Sequence, residues 1–262
     1  MIIPRLRAMI DDLTWEPAGE HIVAARAGDV AVVRLDRPDK LNALTPTMLP
    51  ALASAIREQA QTARGLVLTG TGRAFSAGDD LDTTAGLDRD AFEQLIFGFQ
   101  DLTRAVLTTE VPVVAALNGL VVGGAAELTL ACDARIGQPG VFFLFPENHI
   151  GLTISNGSTS LLPRVIGPRA LPVILDGGRI EADEALTIGL LTTLADDALR
   201  AAVDRVAHWA GQATATPWHL QLMRPDLDAV EAAMAREVTA AMETFDAGIA
   251  TAGADAFRTR AR

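Results

Sequence analysis

An α/β fold with parallel strand pairing is predicted by the order of strand-like and helix-like segments along the chain. Short apolar runs at residues 30–35, 66–69 and 113–117 are each followed by a longer segment with helical periodicity. A strand, helix, strand, helix order implies parallel strands joined by crossovers. At 262 residues and 49% hydrophobic composition, the chain is long enough to bury a sizeable core. We therefore expect one chain-long unit whose C-terminal part is helical.

A β-hairpin is predicted close to the N-terminus. Residues 21–25 and 30–35 are strand-like, and the Gly28-Asp29 pair between them is a favoured two-residue turn. Residues 1–20, which precede this hairpin, are expected to form an N-terminal extension.

The central elements follow from capping signals and periodicity. Thr45 is suited to cap a helix over residues 46–60, because Pro46 fits the first helical position. The elements predicted after it are a buried strand over 66–69, a loop over 70–81, a helix over 90–107 and a strand over 113–117.

Paired glycines mark the stretch that carries the most chemical information. Gly123 and Gly124 lie between the apolar run 111–122 and a helix-like run over 125–131. Glycine lets another group approach the backbone closely, and a helix start offers unpaired N–H groups and a positive dipole end. Glu127 lies in the first turn of this helix, and Glu147 follows 20 residues later, after the apolar run 141–145. Oxyanion donors beside two carboxylates indicate proton transfer on a carbonyl compound.

The C-terminal third of the chain is predicted to be helical. From Asp196 onward the sequence is Ala-rich, and four apolar residues repeat at a helical spacing: Val230, Met234, Val238 and Met242. Their apolar face needs a partner, either in the same chain or in a neighbouring subunit. We therefore divide the chain into the extension over 1–20, a core over 21–195 and a helical region over 196–262.

Composition argues against several classes of function. A net charge of −11 disfavours binding to nucleic acid or to an anionic membrane. No apolar run approaches the roughly 20 residues that span a bilayer, and Asp11-Asp12 interrupts the N-terminal pattern expected of a secretory or transit signal. The single cysteine, Cys132, allows no intrachain disulfide and no cysteine zinc cluster, and we expect it to be buried. A cytoplasmic protein without a metal or nicotinamide site is expected.

Five segments, in this order and spacing, resemble the enoyl-CoA hydratase/isomerase superfamily, also called the crotonase family. They are RPDKLNAL (37–44), LTGTGRAFSAGDDL (68–81), ALNGLVVGGAAELTLACDARIG (116–137), FPENHIGL (145–152) and LPRVIG (162–167). Weaker similarity extends the match to roughly residues 21–260. Each segment alone is a weak signal, whereas five in register are specific for the family.

The resemblance implies a fold and a set of site residues. The expected fold is a spiral of β-β-α turns with a helical C-terminal region that packs against neighbours in trimers, often paired into hexamers. The two oxyanion-hole amides fall on the N–H groups of Asp79 and Gly124, and the two catalytic glutamates of the family's hydratases match Glu127 and Glu147. The expected coenzyme A groove is formed by Lys40, Leu41, Ala43, Arg73 and Ala77.

Reversible hydration of 2-enoyl-CoA thioesters is the activity that this set of residues favours. Two close carboxylates can hold one water, and one of the two tends to keep its proton. We assign Glu147 to protonation of C2 and Glu127 to orienting and deprotonating the water. The alternatives are an isomerase that uses Glu147 alone, or another enolate-forming reaction such as a dehydration, hydrolysis or decarboxylation. A non-catalytic scaffold is disfavoured because both glutamates are present. Coenzyme A enters as part of the substrate, so no separate cofactor is expected.

The segment after Glu147 departs from the family pattern, so the sequence does not identify the acyl group of the substrate. Ser155 and Asn156 either cap a helix that runs to residue 165 or place polar groups near the acyl pocket, and we favour the cap. Asp80 is expected to hold the turn that contains it. His149 is the one histidine near the predicted site in sequence, and its role is left open. Three phenylalanines, Phe142, Phe143 and Phe145, are expected to be core residues.

Overall fold

The computed structural model describes residue 10, residues 12–211 and residues 215–253. Its strands are β1 Glu16–Gly19, β2 Ile22–Ala27, β3 Val30–Leu35, β4 Gly65–Gly70, β5 Ala74–Ser76, β6 Val113–Leu117, β7 Leu120–Val122, β8 Ala134–Gly137, β9 Phe142–Leu144, β10 Arg179–Glu181 and β11 Thr193–Leu194. Its α-helices are α1 Met48–Thr62, α2 Arg89–Leu107, α3 Gly124–Leu130, α4 Ser158–Ile166, α5 Ala170–Asp176, α6 Ala182–Ile188, α7 Ala198–Gly211, α8 Thr216–Met223 and α9 Leu227–Asp246.

Seven strands form the larger sheet, in the order β1-β2-β3-β4-β6-β8-β11. The strands from β3 to β11 are paired in parallel. Every residue of β4 and β6 is buried, because both faces of the sheet are covered, as is usual for parallel sheets. Alternate residues of β4 face different cores: Leu66 and Leu68 pack with α1 and α2, whereas Val67 packs with α7.

Four shorter strands form the second sheet, in the order β10-β9-β7-β5. Its strands β5, β7 and β9 are parallel neighbours, and each directly follows a strand of the larger sheet in the chain. The chain therefore repeats a strand of the large sheet, a strand of the small sheet and then a helix, three times over: β4-β5-α2, β6-β7-α3 and β8-β9-α4. This repeat confirms the predicted α/β fold of β-β-α turns.

The N-terminal part differs from the expectation of an extension over residues 1–20. Glu16–Gly19 is strand β1, which pairs antiparallel with β2 and so begins the large sheet. The strand was missed because EPAG lacks the alternation of apolar and polar residues that indicates strands. Residues 1–9 and 11 lie outside the described residues, and the division of the chain at residues 20 and 195 stays a prediction.

The repeating apolar face of the C-terminal region finds its partner within the same chain. Helix α9 packs against α2 and α4; Val230 and Met234 join the main core, and Met242 packs against Ile96. No helix in the described ranges is long and apolar enough to cross a membrane.

Candidate active site

The ends of β5, β7 and β9 lie side by side and open into one cavity of about 680 Å³. The chain that leaves β5 reaches Asp79, the chain that leaves β7 reaches Gly124, and the chain that leaves β9 reaches Glu147. All three residues line the cavity, together with Glu127. The predicted catalytic and oxyanion residues are thus brought together because parallel neighbours end at the same edge of a sheet.

The direction of the N–H of Asp79, the first predicted oxyanion donor, follows from the pairing of its neighbours. Asp79 lies opposite Leu44 in an isolated parallel bridge, whose hydrogen bonds run from Leu44 N to Gly78 O and from Asp80 N to Leu44 O. Successive N–H groups of an extended chain point in opposite directions, so the N–H of Asp79 points away from Leu44. A Cβ on Gly78 would lie 2.5 Å from the carbonyl oxygen of Val122. Glycine at that position lets the turn approach the end of β7.

The N–H of Gly124 is the second predicted oxyanion donor. Gly124 is the first residue of α3, so its N–H has no carbonyl partner inside the helix. Gly123 before it has a positive φ of 55°, which a glycine adopts without strain. A Cβ on Gly124 would meet the ring of Phe99 at 2.6 Å, so this position has no room for a side chain. Two glycines are therefore required here.

The turns beside the cavity are fixed by the buried polar side chains of Asn42 and Ser76. Asn42, fully buried with a φ of 56°, donates from Nδ2 to the carbonyl oxygens of Thr71 and Ala74. Ser76 donates to the carbonyl of Asn42 and accepts from the N–H of Gly78. The positive φ of Asn42, which lies within the segment RPDKLNAL, cannot be predicted from composition or periodicity.

The turn after Asp79 is held by Asp80, as predicted. Asp80 Oδ1 accepts from the backbone N–H groups of Asp82 and Thr83 at 3.0 and 3.3 Å, and Oδ2 accepts from Arg37 at 2.5 Å. Although burial acts to raise its pKa, these bonds hold the pKa of Asp80 below its usual range. Asp80 is therefore a charged acceptor that fixes the backbone.

Glu127 is buried and held through a single oxygen. Its Oε2 accepts from the N–H of Ser155 at 2.9 Å, from the Ser155 hydroxyl at 3.1 Å and from the Ser158 hydroxyl at 3.3 Å. Burial, and then the nearby charges of Glu147 and Glu237, raise the pKa of Glu127 well above its ordinary value, although the bonds from Ser155 oppose this rise. Glu127 Oε1 is left as the oxygen for chemistry.

Glu147 begins the short 3₁₀ turn Glu147–Ile150 that follows β9 and is only 4% exposed. A Cβ on Gly123 would lie 3.3 Å from Glu147 Oε1, so this carboxylate lies against the glycine turn. Glu147 Oε2 is buried and has no hydrogen-bond partner among the described residues. Burial raises the pKa of Glu147 to about 7. Such a carboxylate is suited to proton exchange at neutral pH.

The loop that holds Glu127 is itself held by a glutamate of the C-terminal region. Glu237, on α9, accepts from the N–H of Gly157 at 2.7 Å, from the N–H of Thr159 at 2.8 Å and from the Thr159 hydroxyl at 2.6 Å. Glu237 is 2% exposed. Because these N–H groups open α4, Glu237 caps the helix from a distant part of the sequence.

The prediction that Ser155 or Asn156 caps α4 is therefore wrong. The residue before α4 is Gly157, which has a φ of 75° and no side chain of its own to cap the helix. Ser155 binds Glu127, and Asn156 Nδ2 donates to the carbonyl of Gly124 at 2.9 Å. Local sequence cannot show that both side chains have long-range partners.

The predicted coenzyme A residues are only partly brought together. Four of them line the open cavity: Lys40, Leu41, Ala43 and Ala77. Arg73 is exposed on the loop between β4 and β5 and does not line this cavity. Phe143 and Phe145 are buried core residues as expected, but Phe142 lines the cavity, with Arg179 over its ring at 3.7 Å.

The structure also places Cys132 and His149, the two remaining residues that the sequence analysis considered singly. Cys132 is buried, as expected, and burial raises the pKa of its thiol to about 12. His149 does not line the cavity; it is exposed, and its ring lies beside Gly177, where a Cβ would be 3.1 Å away. His149 therefore does not line the pocket, which was one of the roles that the sequence left open for it.

The arrangement can bind an oxyanion and exchange protons beside it. Burial raises the pKa values of both glutamates, and the charge of Glu147 raises that of Glu127 further, whereas the interaction with Glu127 lowers that of Glu147. Two close carboxylates of this kind titrate as a pair that can hold one proton. One member can then donate a proton while the other accepts one. The remaining cavity wall is mostly apolar, with side chains such as Leu95, Phe99 and Leu144 that limit the access of water.

Comparison with known proteins extends this picture beyond the site. Residues 25–258 match the family described as Enoyl-CoA hydratase/isomerase. The chain is 36% identical over 185 residues to a "Probable enoyl-CoA hydratase" of Rhodobacter capsulatus. This alignment covers 70% of each of the two chains. It is 35% identical over 180 residues to a "Crotonyl-CoA hydratase" of Syntrophomonas wolfei. This second alignment covers 66% of this chain and 68% of the relative.

A solved structure shows the same similarity in three dimensions. The crystal structure of an enoyl-CoA hydratase/isomerase from Mycobacterium paratuberculosis matches this chain with a TM-score of 0.84 at 26% identity. The match covers 91% of this chain and 98% of the other. The similarity therefore includes both the strand-rich core and most of the helical region.

Proposed function

Because this chain belongs to the enoyl-CoA hydratase/isomerase family, we propose that it catalyses the reversible hydration of 2-enoyl-CoA thioesters to 3-hydroxyacyl-CoA. The observation that carries the proposal is the placing of two buried carboxylates, Glu127 and Glu147, in one cavity with the amides of Asp79 and Gly124. Hydration needs a base for water, a proton for C2 and stabilisation of the enolate oxygen, and these four groups can supply all three.

The two amides bind the thioester carbonyl oxygen. When water adds to C3, negative charge moves through C2 onto this oxygen, where the N–H groups of Asp79 and Gly124 stabilise it. The loss of one such donor in other enzymes costs about 2.7–4 kcal/mol, so two donors account for a large part of the acceleration. As backbone groups, they do not depend on the side chain at position 79.

The two glutamates divide the proton transfers. Glu147 lies against Gly123, close to where the bound carbonyl leaves C2, and it gives its proton to C2. Glu127 orients the water through Oε1, because Oε2 is already occupied, and takes the proton that the water loses as its oxygen bonds to C3. The proton then returns from Glu127 to Glu147, and the reverse sequence dehydrates the hydroxyacyl thioester.

The coenzyme A portion of the substrate extends towards Lys40, Leu41, Ala43 and Ala77 at the mouth of the cavity. The reaction proposed requires no metal and no redox cofactor, since each proton and each charge is handled by a group named above. Coenzyme A takes part only as the carrier of the acyl group.

Isomerisation of enoyl-CoA thioesters is the second candidate. It is favoured by one observation, the contrast between Glu147 Oε2, which has no partner among the described residues, and Glu127 Oε2, which accepts three bonds. A proton shuttled by Glu147 alone would move a double bond without added water. Glu127 would then have only a structural role.

Loss of enoyl-thioester absorbance with crotonyl-CoA and a longer 2-enoyl-CoA tests the proposal. Hydration requires rapid loss with the wild type, and near-complete loss of activity in both Glu127→Ala and Glu147→Ala. The exposed Glu110 provides a matched control, Glu110→Ala, which should retain activity. If Glu127→Ala keeps its activity on a 3-enoyl-CoA and the wild type never adds water, isomerisation replaces hydration.

We also propose that the chain assembles as a homotrimer or a dimer of trimers. Three large apolar side chains of α8 are exposed: Trp218, Leu222 and Met223. An exposed apolar patch of this kind is typical of an interface between subunits. Light scattering should give a mass three or six times the 27.6 kDa of one chain; a monomer mass would contradict the proposal.

A further inference from the structure

The short loop before α4 contacts both of the proposed site residues that lie on α3. The N–H and hydroxyl of Ser155 and the hydroxyl of Ser158 donate to Glu127 Oε2. Asn156, which lies between these two serines, donates from Nδ2 to the carbonyl oxygen of Gly124 at 2.9 Å. The bonds to Glu127 already have a part in the proposed mechanism, whereas the bond to Gly124 has none.

Asn156 is a buried polar residue in an uncommon backbone conformation. Its exposed fraction is 0%, and its φ of 62° lies in the left-handed region. Asparagine adopts this region more readily than most residues that carry a side chain. A buried amide needs hydrogen-bond partners, and Nδ2 has one in the carbonyl of Gly124. Because Asn156 does not line the cavity, it is placed to act on α3 rather than on the substrate.

The peptide that carries the N–H of Gly124 has little rigidity of its own. It joins two glycines, and glycine restricts φ and ψ less than any other residue. Gly123 is held through its own backbone, because its N–H donates to Leu144 O at 2.9 Å and its carbonyl accepts from the N–H of Glu127 at 3.0 Å. The bond from Asn156 adds a contact to Gly124 itself, from outside α3.

Helix α3 depends on such outside contacts because it is short. It has seven residues, and helices shorter than about 12–15 residues are marginal without tertiary packing. The ring of Phe99 lies against Gly124, where a Cβ would be 2.6 Å from it. This packing limits where Gly124 can lie but has no preferred direction. The hydrogen bond from Asn156 is directional, so it fixes how Gly124 is oriented.

We infer that Asn156 is a positioning residue for the oxyanion hole: its amide orients Gly124 so that the N–H of Gly124 meets the thioester oxygen. The inference rests on the part of the proposed function that assigns the thioester oxygen to this N–H. It gives the loop before α4 two separate parts, because Ser155 holds Glu127 while the next residue holds Gly124. The oxyanion donor and the group that serves the water are thus held by one loop.

The infrared carbonyl band of a bound thioester reports on the oxyanion hole directly. Hydrogen bonds to a carbonyl oxygen weaken the C=O bond, so butanoyl-CoA labelled with ¹³C at the thioester carbon should have a lower carbonyl frequency when bound to the wild type than when free. Asn156→Gly removes the amide, and glycine keeps a φ of 62° without strain. In this variant the band should move back towards the frequency of the free thioester.

Steady-state kinetics of Asn156→Gly provide a second readout. With crotonyl-CoA, kcat should fall by about tenfold to 10²-fold, the effect of a misplaced catalytic group. Removal of a whole oxyanion donor costs roughly 10²- to 10³-fold in other enzymes, which sets an upper limit. KM should change less, because the donor binds the charged oxygen of the transition state more strongly than the ground-state carbonyl.

Ser155→Ala provides the matched comparison from the same loop. It removes the hydroxyl bond to Glu127 and leaves the bond from Asn156 to Gly124 in place. We expect kcat to fall in this variant while the carbonyl band stays at its wild-type frequency. The exposed Glu110 provides a surface control, since Glu110→Ala should change neither kcat nor the band.

A second variant at the same position guards against a folding defect in the first. The side chain in Asn156→Ser is one bond shorter, so its hydroxyl does not reach the carbonyl of Gly124, and the band should move as in Asn156→Gly. Thermal unfolding shows that each variant is folded. The inference is overturned if both variants keep the wild-type band, whatever their kcat, or if Ser155→Ala moves the band as far as Asn156→Gly does.

These outcomes are distinguishable from failure of the proposed function. If the wild type lowers the carbonyl frequency but hydrates no enoyl-CoA, and Asn156→Gly reverses the shift, hydration is overturned and the part of Asn156 stands. If the wild type hydrates crotonyl-CoA and the band does not respond to changes at Asn156, the inference alone fails.

Discussion

The two carboxylates to which we assign the proton transfers differ in how the chain holds them. Glu127 lies on α3, and its Oε2 accepts three hydrogen bonds from the loop before α4, which is in turn held by Glu237 of α9. Glu147 lies at the end of β9, and its Oε2 has no partner among the described residues. The first carboxylate is fixed by distant parts of the fold, whereas this oxygen of the second is held by no hydrogen bond from the described residues. Two buried glutamates in one cavity therefore have different hydrogen-bonding environments, which is consistent with the different tasks we propose for them.

The largest effect expected from this difference concerns the proton at C2. Glu147→Gln should slow the exchange of the C2 hydrogens of butanoyl-CoA with deuterated water by about 10²- to 10⁴-fold, the usual contribution of a general acid or base. Glu127→Gln should slow this exchange far less, because it removes the group that serves the water. Mass spectrometry of the recovered thioester measures the exchange; equal losses in both variants would mean that the pair shares one task.

A smaller effect is expected from replacing Glu237, which holds the loop that binds Glu127. Glu237→Gln weakens hydrogen bonds between a charged acceptor and the start of α4, so the free energy of unfolding should fall by about 1.5–3 kcal/mol. Because the loop also positions Glu127, kcat should fall by about tenfold to 10²-fold, with little change in KM. Chemical denaturation and steady-state kinetics measure the two effects.

Glu243, exposed on the same helix α9, provides the matched control for Glu237. Glu243→Gln should change neither stability nor kcat. If Glu237→Gln lowers stability but leaves kcat intact, Glu237 holds the fold without positioning Glu127.

The smallest effect expected is on the pH dependence of stability. Burial raises the pKa of Glu147 from 4.5 to about 7, so the folded state binds a proton there more tightly than the unfolded state. This contribution to stability is fully present below pH 4.5 and is lost as the pH rises through 7. Compared with the wild type, Glu147→Gln should therefore lose less of its Tm between pH 5 and pH 8, by a few degrees. Identical slopes in scanning calorimetry would contradict the raised pKa.

The elements that the sequence predicted well are those set by local patterns. The strand over 113–117 was found with the bounds it has in the structure, and the hairpin over β2 and β3 and the helix α2 were found to within a few residues. Continuous apolar runs, a two-residue turn and a helical period depend on neighbours in sequence. Strand β1 lacks such a pattern, because its pairing with β2 holds it in place.

The sequence predicted the chemical groups of the candidate site but not the residues that hold those groups in place. Glu127, Glu147 and the glycine turn were identified from their order and spacing, and the structure places them in one cavity. Glu237, 80 residues from Gly157, could not be identified, since its role depends on the packing of α9 against α4. The assignment of Ser155 as a helix cap failed for the same reason.

By itself, the sequence determined the alternation of strands and helices, the family, and the two acidic groups with the glycine pair that precedes them, because these follow from residue type and spacing. Only the tertiary structure decided that Glu127 is held through Oε2, that Glu147 Oε2 has no partner among the described residues, and that α9 finds its partner within the chain. Those properties arise from contacts between segments far apart in sequence. Hydrogen bonding and burial there depend on the whole packed core.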